Sequence, residues 1–176
     1  MGFDRAAVLA GGLPAWRAAG LPVDEGAPGA AAGPGDFTAR PRPGLVVGAD
    51  AVADELGDPG AVVFDARTRG RFAGTEPEPR AGLPGGHMPG AVNLPFGEIQ
   101  DGGRMRSPAE LRTAFSALAG GRERLYFSCG SGVTACVPAL GAEPAGYRGP
   151  AVYDGSWSEW GLASGSRPVV TGPGQG

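Results

Sequence analysis

Apolar positions in this chain fall into short runs divided by Gly- and Pro-rich punctuation, and from position 44 two hydrophobic periods alternate. Leu45-Val46-Val47 is a brief continuous apolar run, predicting a short strand. Ala49, Val52, Ala53 and Leu56 recur at helical spacing and predict a helix over 49–56 with one apolar face. Ala61-Val62-Val63-Phe64 is apolar throughout and closes on Asp65, as expected of a strand buried on both faces. Ala91–Leu94, Leu125–Ser128 and Ala151–Tyr153 read as further strands. Ser107-Pro108-Ala109-Glu110 is a capping box with proline at the first helical position, and it opens a helix running to about Ala119. Strands alternating with helices predict an α/β fold, a parallel sheet with helices on both faces. Ligands of such sheets bind at the carboxyl ends of the strands.

Before position 44 the pattern is different. Residues 25–43 are rich in Gly, Ala and Pro, show no sustained period, and read as a linker. Residues 1–24 resemble a later segment. Val8-Leu9-Ala10-Gly11-Gly12-Leu13-Pro14-Ala15-Trp16 parallels Val152-Tyr153-Asp154-Gly155-Ser156-Trp157-Ser158-Glu159-Trp160, with Pro22-Val23 and Pro168-Val169 following at similar distances. Trp16 and Trp160 lie 144 positions apart, about one domain length. Residues 1–24 are therefore expected to be the tail of a preceding homologous domain, and residues 44–173 the domain that follows it.

Composition narrows the classes of function. A net charge of −3 provides no basic field for nucleic acid. No run of 18 apolar residues suggests a membrane span. Met1-Gly2-Phe3-Asp4-Arg5 does not start a secretory signal, and Ala6 breaks a myristoylation pattern. Two cysteines make no disulfide framework, so a reducing, cytoplasmic compartment is expected. With one histidine, His87, and two cysteines, a four-ligand zinc site of the usual kind is out of reach, and no metal or cofactor is expected. All 15 basic residues are arginine, and with 34 Gly and 18 Pro this bias is what a GC-rich genome would produce.

The chemistry concentrates in Cys129-Gly130-Ser131-Gly132-Val133-Thr134-Ala135-Cys136, directly after the Leu125–Ser128 strand. A thiol at a strand end, followed by a Gly-x-Gly loop opening a helix, is expected to meet inward N–H groups and a helix dipole that favour thiolate over thiol. Cys136 lies inside the helix pattern and reads as a packing residue. Position 135, six after Cys129, is Ala rather than Arg, against a phosphatase or arsenate reductase of the Cys-x5-Arg kind.

These residues resemble the rhodanese superfamily, specifically the C-terminal catalytic domain of two-domain sulfurtransferases. The resemblance rests on Val63–Arg67, Arg71–Arg80, Gly86–Asn93, Cys129–Thr134 and Tyr153–Trp160, and extends over 44 to about 171. It implies that Cys129 takes sulfur from a small-molecule donor as a persulfide and passes it to a thiol or cyanide acceptor, a thioredoxin-like protein being one candidate. It also implies that Gly130, Ser131, Gly132, Val133 and Thr134 bind substrate and that Arg71 and Arg80 clamp a donor carboxylate, with Arg67 ranked below them. The uncharged Cys-Gly-Ser-Gly-Val-Thr loop is similar to that of the branch using 3-mercaptopyruvate, whereas thiosulfate users carry basic loop residues. In the family the first domain covers one side of the site and supplies polar groups, and nearly all of it is missing from this sequence. An impaired remnant or sulfur-binding module is therefore the alternative reading. His87 is expected to pack its loop. Tyr153, Trp157 and Trp160 are candidates for the pocket wall or the core, the core being favoured for Trp160. Pro138, Gly141 and Pro144 are expected to weaken the helix after the loop and to end it near Ala142.

Overall fold

The structure is a computed structural model that describes residues 2, 5–27, 29 and 33–174. In chain order the elements are α1 (Gly12–Ala18), β1 (Val46–Val47), α2 (Ala49–Glu55), β2 (Ala61–Asp65), α3 (Arg69–Ala73), β3 (Val92–Asn93), β4 (Gln100–Asp101), β5 (Arg104–Met105), α4 (Pro108–Ala119), β6 (Arg124–Ser128), α5 (Cys136–Ala142), β7 (Ala151–Tyr153) and α6 (Ser156–Trp160). Five strands form a parallel sheet in the order β1-β7-β6-β2-β3, while β4 and β5 form a separate antiparallel hairpin. The apolar run of β2 lies next to the centre: all five of its residues are buried, and it pairs with β6 from Ala61 opposite Arg124 to Asp65 opposite Ser128.

The pleat sends alternate side chains of β2 to opposite faces. Val62 and Phe64 pack with Leu111 and Phe115 of α4, Leu125 and Phe127 of β6, and Tyr147. Phe64 stacks on Phe127, with centroids 5.4 Å apart, and meets Phe115 edge-on. Val63 joins the opposite core with Val52, Phe72, Met88, Tyr153, Trp157 and Trp160. Both layers converge on the carboxyl ends of β2 and β6.

The capping box forms as the sequence indicates. Ser107 Oγ accepts the Glu110 N–H, and the Glu110 carboxylate accepts the Ser107 N–H at 3.0 Å. Ser107→Ala removes the hydroxyl cap and is expected to cost about 1 kcal/mol, which thermal unfolding reads as a fall of about 2–4 °C.

Other elements depart from the reading. α3, α6 and the β4–β5 hairpin carry too few residues for a period to register. The Ala91–Leu94 run pairs only over Val92–Asn93. Pro138 does not disturb α5, because it sits in the first turn, where an N–H has no helical acceptor in any case. α5 ends at Ala142.

The N-terminal segment repeats one local device. Trp16 of α1 donates its indole N–H to Pro22 O at 2.8 Å, and Trp160 of α6 donates to Pro168 O at 2.9 Å. These are the tryptophans and prolines that coincide in the two similar sequence segments. Of the segment read as a linker, 25–27, 29 and 33–43 are described and hold neither helix nor strand, while 28 and 30–32 lie outside the described residues. Among the described residues no helix is long and apolar enough to cross a membrane.

Candidate active site

Cys129 follows the last residue of β6 and is 1% exposed. It lies on the floor of a cavity of about 490 Å³, at the carboxyl end of the sheet, that is lined by Arg71, Glu78, Arg80, Gly130, Ser131, Val133 and Thr134, with Pro79, Leu83 and Ser158. The structure thus gathers Arg71, Arg80, Cys129, Gly130, Ser131, Val133 and Thr134 around one space, although they are spread over more than sixty positions of chain.

Gly132 is the exception among the predicted site residues. It does not line the cavity but turns away from it in the left-handed region (φ +78°), where a Cβ would come within 2.5 Å of the Asp154 carbonyl oxygen. Its role is to let the loop pass beneath Asp154. Gly130 has a different one, since a Cβ there would lie 2.8 Å from Arg71 Nη2.

The loop leaves donors free. No described residue accepts the N–H groups of Gly130, Ser131, Gly132, Val133, Thr134 or Ala135. Successive amides of this kind are the components of an anion-binding nest. The following helix starts later than expected: Cys136 is the first residue of α5, after a turn over 133–135. The dipole term therefore comes from a helix of seven residues set back from the thiol. Cys136 remains peripheral. It is exposed at the surface, its Sγ donates to Gly132 O at 3.4 Å, and it does not line the cavity. Partial burial pushes its thiol above the ordinary value, and negative charge at Cys129 and Asp154 acts in the same direction.

A buried ion network forms the cavity's far side. Arg67 Nε bonds both oxygens of Asp65 at 3.0 Å, Nη2 reaches Asp65 Oδ2 at 2.6 Å and Gly86 O at 2.7 Å, and Nη1 reaches Glu78 Oε1 at 2.8 Å. The guanidinium lies 4.2 Å from the centre of the Trp157 ring. Arg67 is thus a structural residue with every nitrogen committed. The same Glu78 carboxylate takes Arg71 as a fork, Nε at 3.1 Å and Nη2 at 2.6 Å. Burial weakens the Arg71 charge, but Glu78 more than offsets this and holds it above its ordinary, already very high value. Arg71 is therefore not an unengaged clamp: Glu78 orients it and leaves Nη1 without a described partner. Arg80 is exposed and makes no hydrogen bond or ion pair with any described residue.

Two groups that matter here escaped sequence reasoning. Glu78 lies in a Pro-Glu-Pro turn that reads as solvated, yet its side chain is 2% exposed. Ser156, inside the Tyr153–Trp160 motif, accepts the Cys129 N–H at 3.0 Å and donates to Tyr153 O at 2.8 Å. It adopts φ +49°, a left-handed conformation that costs a non-glycine residue about 1 kcal/mol. Of the two places open to the aromatics, the structure gives the core: Tyr153, Trp157 and Trp160 are all core residues, as favoured for Trp160, and none of them lines the cavity around Cys129. Trp157 donates its indole N–H to Pro84 O at 2.8 Å. His87 packs its loop, with its ring stacked 3.7 Å from Phe72 and Nδ1 2.9 Å from Phe72 O. Among the described residues no cluster of His, Cys, Asp and Glu could hold a metal ion.

The chain is 42% identical over 172 residues to a probable 3-mercaptopyruvate sulfurtransferase of Pseudomonas aeruginosa, covering 96% of this chain and 59% of that protein. It is 38% identical over 172 residues to the human 3-mercaptopyruvate sulfurtransferase, covering 97% and 57% respectively. The chain thus spans a little over half the length of these curated relatives. The crystal structure of Tum1 from Saccharomyces cerevisiae superposes with a TM-score of 0.63 at 31% identity, over 73% of this chain and 47% of that one. The sequence profile of the Rhodanese-like domain matches residues 48–163, from the residue before α2 to just past α6 and including the whole Cys129 loop, and the chain belongs to that family.

Proposed function

We propose that this domain transfers sulfur from 3-mercaptopyruvate to a thiol or cyanide acceptor through a persulfide on Cys129. The observation that carries this reading is one cavity holding the Cys129 thiol, a loop of uncommitted amides, and the two arginines Arg71 and Arg80. The Cys129 thiolate attacks the donor sulfur. The carbon–sulfur bond breaks, its electron pair leaves on the enolate of pyruvate, and the enolate takes a proton from solvent. An acceptor thiolate or cyanide then attacks the outer sulfur, and Cys129 leaves as thiolate. Loop amides facing these sulfur anions stabilise charge as it forms. The names of the relatives support the same activity.

Charge balance favours this donor over thiosulfate. Asp65 and Glu78 compensate Arg67 and Arg71, leaving Arg80 as the cation without an acidic partner among the described residues lining the cavity. One net positive charge suits a monocarboxylate better than a dianion. Arg80 and Arg71 Nη1 would grip the carboxylate, and Ser131 the neighbouring oxygens. The reducing cytoplasm, with a thioredoxin-like acceptor among its thiols, suits chemistry that needs a free Cys129.

Incubation with 3-mercaptopyruvate followed by intact-mass measurement tests the reading: one added sulfur atom and released pyruvate support it. Arg80→Ala is expected to raise the donor KM about 10-fold, the loss of one charge-assisted contact, and to leave the melting temperature almost unchanged because the side chain is exposed. An unchanged KM would place the carboxylate elsewhere. A sulfur-binding module or impaired remnant is the second reading, since the relatives contain much additional chain. It predicts loading of Cys129 without turnover. We also propose residues 1–24 as the tail of a preceding similar domain, supported by the shared Trp-to-Pro hydrogen bond.

A further inference from the structure

We propose that Ser156 is the positioning residue of Cys129, setting the geometry of the reactive thiol through the backbone from a distant part of the chain; its catalytic consequence rests on the function proposed above. Three consecutive residues after the β7 turn grip the start of the loop. Ser156 Oγ accepts the Cys129 N–H at 3.0 Å, the Trp157 N–H donates to Cys129 O at 3.0 Å, and the Ser158 N–H donates to Gly130 O at 2.9 Å. The last two are backbone bonds that any sequence could make. The first needs a side-chain acceptor, and only the hydroxyl of Ser156 supplies it.

The hydroxyl is directional at both ends. Its single proton goes to Tyr153 O at 2.8 Å, which leaves its lone pairs for Cys129. The end of β7 is thereby tied to the end of β6 beneath the floor of the cavity. Ser156 is fully buried, so water cannot replace the contact, and it keeps a left-handed backbone conformation that glycine would adopt without strain. A serine at a position where backbone geometry favours glycine points to a role for its side chain. With the Cys129 N–H bound behind the thiol, the free amides are those from Gly130 onward, so the bond also determines which donors face the cavity.

Three variants separate this role from simple stability. Ser156→Gly relieves the backbone and lacks the hydroxyl. Ser156→Ala lacks the hydroxyl and keeps the strain. Ser156→Thr keeps the hydroxyl and adds strain. Activity is expected to follow the hydroxyl and melting temperature the backbone. The glycine and alanine variants should lose at least 10-fold in the rate constant for sulfur loading from 3-mercaptopyruvate, with the donor concentration at half-saturation unchanged. The threonine variant should stay within about 3-fold of the parent rate despite a lower melting temperature. Hydrogen exchange at the Cys129 amide should accelerate in the glycine variant and be restored in the threonine variant. Parent-like loading by a folded Ser156→Gly protein would overturn the proposal, as would an unchanged Cys129 amide. If the parent itself takes up no sulfur, the activity reading fails and Ser156 is judged by alkylation of Cys129 with iodoacetamide. A rate altered at least 5-fold in the glycine variant and parent-like in the threonine variant sustains the positioning role, and equal rates in all three refute it.

Discussion

Cys129→Ser is expected to leave the fold in place and to abolish sulfur uptake, lowering turnover by at least about 10³-fold. Serine is close to cysteine in size, so a position this buried keeps its packing. A serine hydroxyl is a much weaker nucleophile than a cysteine sulfur, and oxygen cannot form the sulfur–sulfur bond on which transfer depends. The readout is intact mass after brief exposure to 3-mercaptopyruvate, with circular dichroism confirming the fold. The parent should gain one sulfur atom and the variant none. Uptake by the serine variant would place the persulfide on Cys136, the other cysteine of the chain. Cys136 is exposed and outside the cavity, so Cys136→Ser should load like the parent.

The largest effect on stability is expected from Arg67→Ala. Arg67 is buried, and its guanidinium satisfies Asp65, Glu78 and the Gly86 carbonyl while lying over Trp157. Its removal leaves two carboxylates facing each other without their shared cation. Breaking a buried pair in this way costs about 3–5 kcal/mol, a large part of the stability of a domain this size. Urea denaturation should show that loss, and the melting temperature should fall by about 10 °C. Activity should decline as well, because Glu78 freed from Arg67 no longer holds Arg71 in place. A loss below about 1 kcal/mol would show that water reaches the network and that its burial is incomplete. The exposed pair of Arg69 and Glu98 is the internal control, since its removal should be nearly silent.

The comparison of Arg67, Arg71 and Arg80 shows where sequence reading reached its limit. All three are arginines in polar segments, and motif resemblance singled out the latter two. Their environments distinguish them: one is fully committed, one is half-held by Glu78, and one is without a described partner. Glu78 and Ser156 were missed for the same reason. A glutamate between prolines and a serine after Asp-Gly both read as turn residues, and nothing local announces burial. The aromatic motif was legible as a cluster, but whether Trp157 faced a cavity or a core depended on the packing of α6 against α2.

What the sequence by itself determined is what local physics decides. The unbroken apolar run at 61–64 required a strand covered on both faces. Ser107, Pro108 and Glu110 determined where α4 starts, through hydrogen bonds that close within four residues. The Gly-x-Gly loop after Cys129 marked a thiol beside unpaired amides. Only the tertiary structure decided which distant groups meet there. The parallel order β7-β6-β2 brings the ends of three strands side by side, so the chain after β2 supplies Arg71, Glu78 and Arg80, the chain after β6 supplies the thiol loop, and the chain after β7 supplies Ser156 and Ser158. The period of a strand records which of its faces are buried but not which strand lies beside it, and that adjacency builds the site.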